Sequence, residues 1–557
     1  SVEQAVRQYR DARSPKSPTG GVEPLLAFKR GALVHFAVSM SHVKMCTHLK
    51  GETSYFLPFD RGNGGGAGNP PSDDPDRYPT AYLWEEVFQR DNLLALIHRF
   101  FLFESTKAED ANGRRYQRET MFFPRYHQWQ AVTSLDNAVR EEGVGHRYLL
   151  EHSAGSGKTN TIAWLCHSLV RMHDERGARR FSSVIVVTDR TVLDDQLQEA
   201  IHQIDHQRGV VVGIERGSGF DAQAKSARLA EALLAETPIV VVTIQTFPFA
   251  IDAILSNRGL ASGNFAVVID EAHNSQTGQA ASKLRAALSL EDEALASLDP
   301  TEIMAKLQDA RTFPANVSYF AFTATPKHAT MTLFGREDAD GTPRSFHHYS
   351  MRQAIEEGFI LDVLQGYLPY RTARKLSERV EKDKRVDQKR AARALARWAA
   401  LHPTNVGQKV EFIVEHFRQN VAGLLNGQAK AMIVTSSRAQ AVAFKLEFDR
   451  YVGEQRYSDL AALVAFSGKV AGSALPEEHY PGHSEAEFTE PGMNAASGDL
   501  RKVFDTDDFR VMIVANKFQT GFDQPKLCAM YLDKRVSGVE AVQTLSRLNR
   551  MAPGKEQ

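Results

Sequence analysis

Glu151-His-Ser-Ala-Gly-Ser-Gly-Lys-Thr-Asn-Thr161 is the stretch that decides the fold. A loop that carries a polyphosphate needs small residues, so that several backbone N–H groups can turn inward on the oxygens. It also needs one long cation for the β- and γ-phosphates and one hydroxyl for a metal ion. Gly155 and Gly157 supply the freedom, Lys158 the charge and Thr159 the hydroxyl. Ser153, Ala154 and Ser156 complete the lining, Ser153 standing where such loops usually open with glycine. Working outward, Tyr148-Leu149-Leu150 predicts a strand before the loop. Ile162, Trp164, Leu165, Leu169 and Val170 predict a helix over Thr161–Met172 after it. The helix N-terminus then lies beneath the phosphates, where unpaired donors and the dipole favour anions. A chance Gly/Ser turn ending in Gly-Lys-Thr would not bring that strand and helix with it. The sequence reads as a nucleotide triphosphatase.

The alternation continues on both sides. Ser183–Thr188, Ile239–Thr243, Phe265–Ile269 and Ser318–Phe322 are predicted strands separated by helical stretches, which argues a parallel sheet with helices on both faces. A second set begins near Asn405, with strands at Ala431–Thr435, Leu463–Phe466, Val511–Ala515 and Ala529–Leu532. Between them Gly468–Ser497 is rich in Pro, Gly, Glu and His without periodicity, and reads as an insertion or a disordered loop. At the front, Arg61–Asp76 is rich in Gly, Pro, Asn and Asp, and is expected to be mobile or wrapped over a neighbour. Residues 104–120 are charged and read as a linker.

Composition sets limits. The 557 residues exceed what one core organises and imply three or four domains; 42% hydrophobic and 24% charged is ordinary for a globular protein. No apolar run approaches the roughly 18 residues needed to cross a bilayer. Cys46, Cys166 and Cys528 have no metal-ligand spacing, and a cytoplasmic setting is expected. A net charge of −1 means that any nucleic-acid contact has to come from local patches. Both ends look cut, so the chain is expected to be part of a longer protein.

Phe265-Ala-Val-Val-Ile-Asp-Glu-Ala-His273 is a buried strand ending in two carboxylates. Ligands of open α/β sheets sit beyond the carboxyl ends of strands, where Asp270 and Glu271 emerge. One carboxylate there can hold Mg²⁺ and the other can orient a water molecule. Two acids ending a strand could also merely cap a helix; a phosphate loop about 110 residues earlier favours the catalytic reading.

With these motifs in register the chain resembles superfamily 2 helicases and translocases. The resemblance rests on Arg125-Tyr-His-Gln-Trp-Gln-Ala131, the loop at 153–159, Thr188-Asp-Arg-Thr-Val-Leu-Asp-Asp-Gln196 and Thr243-Ile-Gln-Thr246. It continues through Asp270–His273, Phe322-Thr-Ala-Thr-Pro326, Val434-Thr-Ser-Ser-Arg438, Asn516-Lys-Phe-Gln-Thr-Gly-Phe-Asp523 and Gln543-Thr-Leu-Ser-Arg-Leu-Asn-Arg550. More narrowly, 514–525, 543–550 and Ala354–Leu364 are similar to the restriction (motor) subunit of type I restriction–modification enzymes, as are His35-Phe-Ala-Val38, Phe56-Leu-Pro-Phe59 and Gly66-Ala-Gly-Asn-Pro70.

The resemblance implies an α/β fold of two RecA-like parallel-sheet lobes, preceded by the C-terminal part of a mixed α/β nuclease domain. Its divisions are a nuclease remnant over 1–103, the linker 104–120 and a first lobe over 121–345. An inter-lobe helical segment over 346–404 follows, then a second lobe over 405–557 with the insertion 468–497, cut before a C-terminal helical domain. It implies a cytoplasmic, ATP- and Mg²⁺-dependent machine without a membrane partner. That machine pulls double-stranded DNA and works with methylation and sequence-recognition subunits.

Residue by residue, Arg125, Gln128, 153–159 and Asp523 are expected to bind ATP, Gln128 as an adenine reader, with Thr159 and Asp270 on the metal. Lys158, Asp270, Glu271, Arg547 and Arg550 are the catalytic set; the two arginines, three apart on a predicted helix, share a face. Thr188, Arg190, Gln245, Thr246, Ser436, Arg438, Lys517 and Thr520 are expected to grip DNA phosphates, which position without reading sequence. His273, Thr323, Thr325 and Gln543 are expected to couple the two activities. Arg371–Arg397 carries eleven Lys/Arg against four acids, and reads equally as a DNA-facing helix or a solvated linker. The family's nuclease carboxylates, an acid followed by Asp and Glu-x-Lys, have no counterpart here. They are expected upstream of Gln4–Tyr9, which resembles the Gln/Tyr helix that follows that site with an altered spacing. A strand-separating helicase with the same motifs remains the alternative, and a DNA-binding scaffold with a degenerate motor is disfavoured by the intact Lys158, Asp270, Glu271, Arg547 and Arg550.

Overall fold

The computed structural model describes residues 1–13, 23–109, 115–188, 197, 200, 201, 204, 211–213, 222–243, 260, 263–270, 315–338, 340–363, 403–475, 480, 482, 483, 485–494, 498–518 and 522–555. The chain divides into two compact units, Ser1–Gly358 and Phe359–Gln557.

The first unit opens with a helix, Val2–Arg7, on an antiparallel sheet of β1 (His35–Val38), β2 (Val43–Cys46) and β3 (Leu57–Pro58). Val2 and Val6 meet Ala37, Cys46, Leu49 and Phe56 in a small apolar core. The Gly- and Pro-rich loop that follows is held in place. Asp60 accepts from Val43 N at 2.8 Å and from Asn69 Nδ2 at 2.7 Å, and Ala67 N donates to Glu356 Oε2 at 2.7 Å. Of the two expectations for this loop, wrapping over a neighbour describes its first part.

Residues 104–120 are not a linker. β4 (Leu102–Glu109) and β5 (Arg115–Phe122) pair antiparallel from Leu102↔Phe122 to Glu109↔Arg115. Leu102, Phe103, Met121 and Phe122 stand at the base of this ribbon and the positions from Glu104 to Lys107 and from Gln117 to Thr120 are polar, while a two-stranded ladder is bonded through its backbone. That is why its composition reads as a linker.

Beyond it lies a sheet of seven parallel strands in the order β14-β6-β11-β10-β7-β9-β8. These are β6 (Arg147–His152), β7 (Ser183–Thr188), β8 (Val211–Gly213), β9 (Ile239–Thr243), β10 (Phe265–Ile269), β11 (Val317–Thr323) and β14 (His347–Tyr349). β12 (Arg336–Glu337) and β13 (Pro343–Arg344) form a separate hairpin. β7, β10 and β11 are buried at every position, as β-branched and aromatic runs are when helices cover both faces. The helices Tyr126–Glu142 and Lys158–Val170 contribute Trp129, Leu135, Ile162, Trp164 and Leu165 to the core. β14 falls within 346–404, expected to be an inter-lobe helical segment, and instead adds a strand to this sheet; its three residues, His-His-Tyr, are too few and too polar to show a period.

The second unit carries a four-stranded parallel sheet, β16-β19-β15-β20, from β15 (Lys430–Thr435), β16 (Ala462–Ala465), β19 (Val511–Val514) and β20 (Leu527–Asp533). Helices Pro403–His416 and Arg438–Gln455 bury Val410, Val414, Phe444 and Phe448 against one face, while Leu500, Phe504 and Phe522 cover the other. The stretch without sequence periodicity, 468–497, holds a short antiparallel pair, β17 (Lys469–Ala471) and β18 (Glu487–Thr489). Both units match the expected α/β class with parallel sheets.

Candidate functional site

Because all seven strands of the first sheet run parallel, their carboxyl ends meet at one edge. The phosphate loop leaves β6, Thr323 ends β11, Asp270 follows β10 and Thr188 ends β7, on four consecutive strands. With strands about 4.8 Å apart, the loop and Asp270 are separated by roughly 10 Å, with Thr323 between them. Asp270 N donates to Val187 O at 3.0 Å, and Thr323 Oγ1 accepts from Thr325 N at 3.2 Å.

The loop is shaped by its glycines. Gly157 (φ 78, ψ 36) caps the helix Lys158–Val170 in the left-handed region, and a Cβ there would lie 2.6 Å from Gln128 Nε2. The Oγ atoms of Ser153 and Ser156 are buried and have no hydrogen-bond partner among the described residues. Unsatisfied hydroxyls beside a helix N-terminus, with a lysine one residue on, suit a polyphosphate. Lys158 Nζ lies 3.5 Å from His152 O, and Thr159 is exposed at the same helix start. One exposed hydroxyl and one carboxylate fit a hydrated Mg²⁺ that takes its remaining ligands from phosphate and water.

Gln128 is 3% exposed and fully engaged by the protein. Its Oε1 accepts from Arg125 N at 3.0 Å, while its Nε2 donates to Gly157 O at 3.0 Å and Ser156 O at 3.4 Å. The expected base reader is therefore also a strut under the phosphate loop. Arg125 Nη1 adds a donation to Gly155 O at 3.4 Å.

Sequence reasoning missed the shell behind this strut. His127 Nε2 lies 3.0 Å from Ser156 O, and its ring stacks on Tyr349 at 3.7 Å between centroids. Burial and the nearby Arg125 hold its pKa well below the usual histidine value, so it is neutral and donates. Ser153 N bonds to Tyr349 O at 3.0 Å. Tyr349 Oη donates to Glu357 Oε2 at 2.7 Å, and Gln353 Nε2 to Glu357 Oε1 at 2.8 Å. Burial pushes the Glu357 carboxyl up to about 7. No motif joins His127 to residues more than two hundred positions later, so only the fold could bring them together.

In the second unit the same logic gathers Ser436, Arg438 and Lys517 beyond β15 and β19. Gln440 Oε1 accepts from Ser436 N at 2.9 Å and Oγ at 2.6 Å, and Arg438 Nη1 donates to Ser467 O at 3.0 Å. Lys517 is already paired: its Nζ sits 2.6 and 2.8 Å from the two Glu490 oxygens. Gln543 is on the helix Gly538–Leu545, and its carbonyl accepts from Arg547 Nε at 3.2 Å. Arg547 Nη1 donates to Phe522 O at 2.9 Å, and Arg550 Nε lies 3.3 Å from Asp523 Oδ1. Both arginines lie beyond the end of this helix and not on it as expected, because the helix stops at Leu545 and Arg550 stands in an extended bridge with Ile360; together they tie the 522–523 loop to the segment after the helix within their own unit.

Arg190, Gln245, Thr246, Glu271, His273 and Thr520 lie outside the described residues, as does Arg371–Arg397. No described helix is long and apolar enough to cross a membrane.

Residues 127–396 match the family described as SWI2/SNF2 ATPase, and residues 427–557 match type I restriction enzyme subunit R domain 3. The chain is 24% identical over 493 residues to the type I restriction enzyme HindI endonuclease subunit of Haemophilus influenzae, covering 85% of this chain and 41% of that one. It is 24% identical over 498 residues to the SauMRSORF196P endonuclease subunit of Staphylococcus aureus, covering 86% and 46%. The chain thus spans less than half the length of these relatives. A solved fragment described as a candidate HsdR subunit of a type I restriction enzyme from Vibrio vulnificus YJ016 aligns at 14% identity and a TM-score of 0.44, over 99% of this chain and 90% of that one.

Proposed function

We propose that this chain, a relative of type I restriction-enzyme endonuclease subunits whose residues 127–396 match the SWI2/SNF2 ATPase family, is an ATP-driven translocase of duplex DNA. The observation that carries the reading is the single sheet edge on which the phosphate loop, Thr323 and Asp270 stand. In this reading Ser153–Thr159 cradle ATP, Lys158 neutralises its terminal phosphates and Glu271 orients the attacking water. Thr159 and Asp270 would hold Mg²⁺, which when bound offsets charge on the phosphate oxygens. Arg547 and Arg550 add cationic stabilisation of the transferred group, and Thr323, Thr325, His273 and Gln543 relay its loss to the DNA-gripping residues. The DNA is pulled before cleavage at a nuclease centre outside this chain. The setting is a cytoplasmic complex with methylation and sequence-recognition subunits.

Lys517 gives the reading a test with two opposite arms. A lysine that grips phosphate must first leave Glu490. Lys517→Ala is expected to weaken binding equally on unrelated linear duplexes and to lower the salt slope by about one unit. Glu490→Gln is expected to do the reverse and to raise duplex-stimulated ATP turnover. Anisotropy titrations over a salt series, with turnover measured alongside, decide the matter. A change confined to one DNA sequence, or unchanged binding in both variants, contradicts the assignment.

A further inference from the structure

The turn that closes the second unit contains a lysine that the motor reading does not use. Ala552-Pro-Gly-Lys555 forms a β-turn closed by Lys555 N donating to Ala552 O at 3.0 Å, with proline at its second position and Gly554 at φ 80 at its third. That is the conformation a type II turn requires, and glycine supplies the positive φ. The turn reverses the chain and aims Lys555 back under the segment it has just left. The side chain is 8% exposed, and its ammonium donates to three backbone carbonyls: Leu548 at 2.8 Å, Arg550 at 2.9 Å and Pro525 at 3.1 Å. Two of these acceptors belong to the arginine-bearing segment, and the third follows Asp523 by two residues.

An ammonium has three protons, and here each has an acceptor. A buried cation is tolerated only when so satisfied, so both carbonyl sets are drawn to one point. Arg547 reaches Phe522 O at 2.9 Å and Arg550 reaches Asp523 at 3.3 Å, bridging the same two segments from the other end. Ile360 pairs with Arg550 as an isolated antiparallel bridge, and Leu361 N donates to Asn549 O at 3.0 Å, which holds the outer side of the segment. Among these three cations Lys555 is buried, while Arg547 and Arg550 are half-buried.

We infer that Lys555 is a positioning residue for hydrolysis: by clamping the backbone of Leu548 and Arg550 to Pro525, it fixes where the Arg547 and Arg550 guanidiniums stand. The inference rests on the proposed role of those arginines in ATP hydrolysis. A misplacement of about 1 Å costs on the order of a hundredfold in rate, so the clamp acts on kcat and leaves nucleotide affinity alone. The charged and titratable groups around the ammonium are Cys528, Arg550 and Asp523, and burial is the main influence, lowering its pKa to about 8. Above that pH the amine has one proton fewer and one carbonyl loses its donor.

The test uses the whole chain, with ATP turnover, binding of a fluorescent ATP analogue and thermal melting measured for each variant. Lys555→Met keeps the stem but cannot donate, and is expected to lower kcat roughly ten- to hundredfold with the analogue's Kd changed less than about twofold. Lys555→Arg stays charged at every accessible pH. It is expected to fold, to retain turnover and to lack the fall in kcat that is expected of the unaltered chain above about pH 8. This second arm reads the inference even if Lys555→Met melts below the assay temperature. Arg550→Ala is run in parallel. Full kcat in Lys555→Met while Arg550→Ala is impaired overturns the clamp alone. Full kcat in both overturns the arginines' role and the clamp with it. The same alkaline fall in the unaltered chain and Lys555→Arg also overturns the clamp.

Discussion

Lys158→Ala is expected to lower ATP turnover by roughly two to three orders of magnitude while the protein stays folded. Lys158 begins the helix that follows the phosphate loop and is the single cation between Glu151 and Thr161. Removing one preorganised charge or donor aimed at developing negative charge costs on the order of 10²–10³ in kcat. Its aliphatic stem is not part of the apolar core, where Ile162, Trp164 and Leu165 carry the packing. Stability should therefore change little, and thermal melting separates the two effects. A folded variant with turnover within a factor of about ten of the unaltered chain would remove Lys158 from the phosphates.

Glu271→Gln is expected to separate binding from chemistry. Glu271 follows Asp270 in the sequence and is proposed to orient the attacking water without touching the phosphates. The amide keeps the shape and loses the negative charge, so ATP binding should persist while turnover falls by about 10²–10⁴. The expected result is a chain that holds ATP and releases it unhydrolysed. Loss of binding would mean that the carboxylate shapes the nucleotide site itself, and the division of roles between Asp270 and Glu271 would fall.

The strands that position this chemistry were legible because they are runs of β-branched and aromatic residues buried on both faces, such as Ser-Val-Ile-Val-Val-Thr in β7 and Phe-Ala-Val-Val-Ile in β10. The predicted bounds differ from those observed by one or two residues at most of these strands. β14 and the β4–β5 ribbon escaped for the opposite reason, since neither shows an apolar period. The phosphate loop was legible because its residues are contiguous. The shell behind it was not: His127, Tyr349 and Glu357 are far apart in sequence, and each has an ordinary identity for its element. Lys517 shows the same limit, since its partner Glu490 sits in a stretch read as an insertion or a loop. Gln128 carried one legible meaning, a base reader, and the fold adds a second by spending its amide on the loop carbonyls. Periodicity and contiguity survive in a single chain; long-range pairing does not.

Displacement of a third strand from linear duplex DNA reports on movement along an intact duplex. The chain is mixed with the methylation and recognition subunits proposed for it, a duplex carrying one recognition site and a triplex placed at increasing distances from it. The expected displacement requires ATP hydrolysis, is lost in Lys158→Ala, and follows a lag that grows in proportion to the distance. Displacement without that lag, or release of the duplex strands in place of the third strand, would contradict translocation along intact duplex.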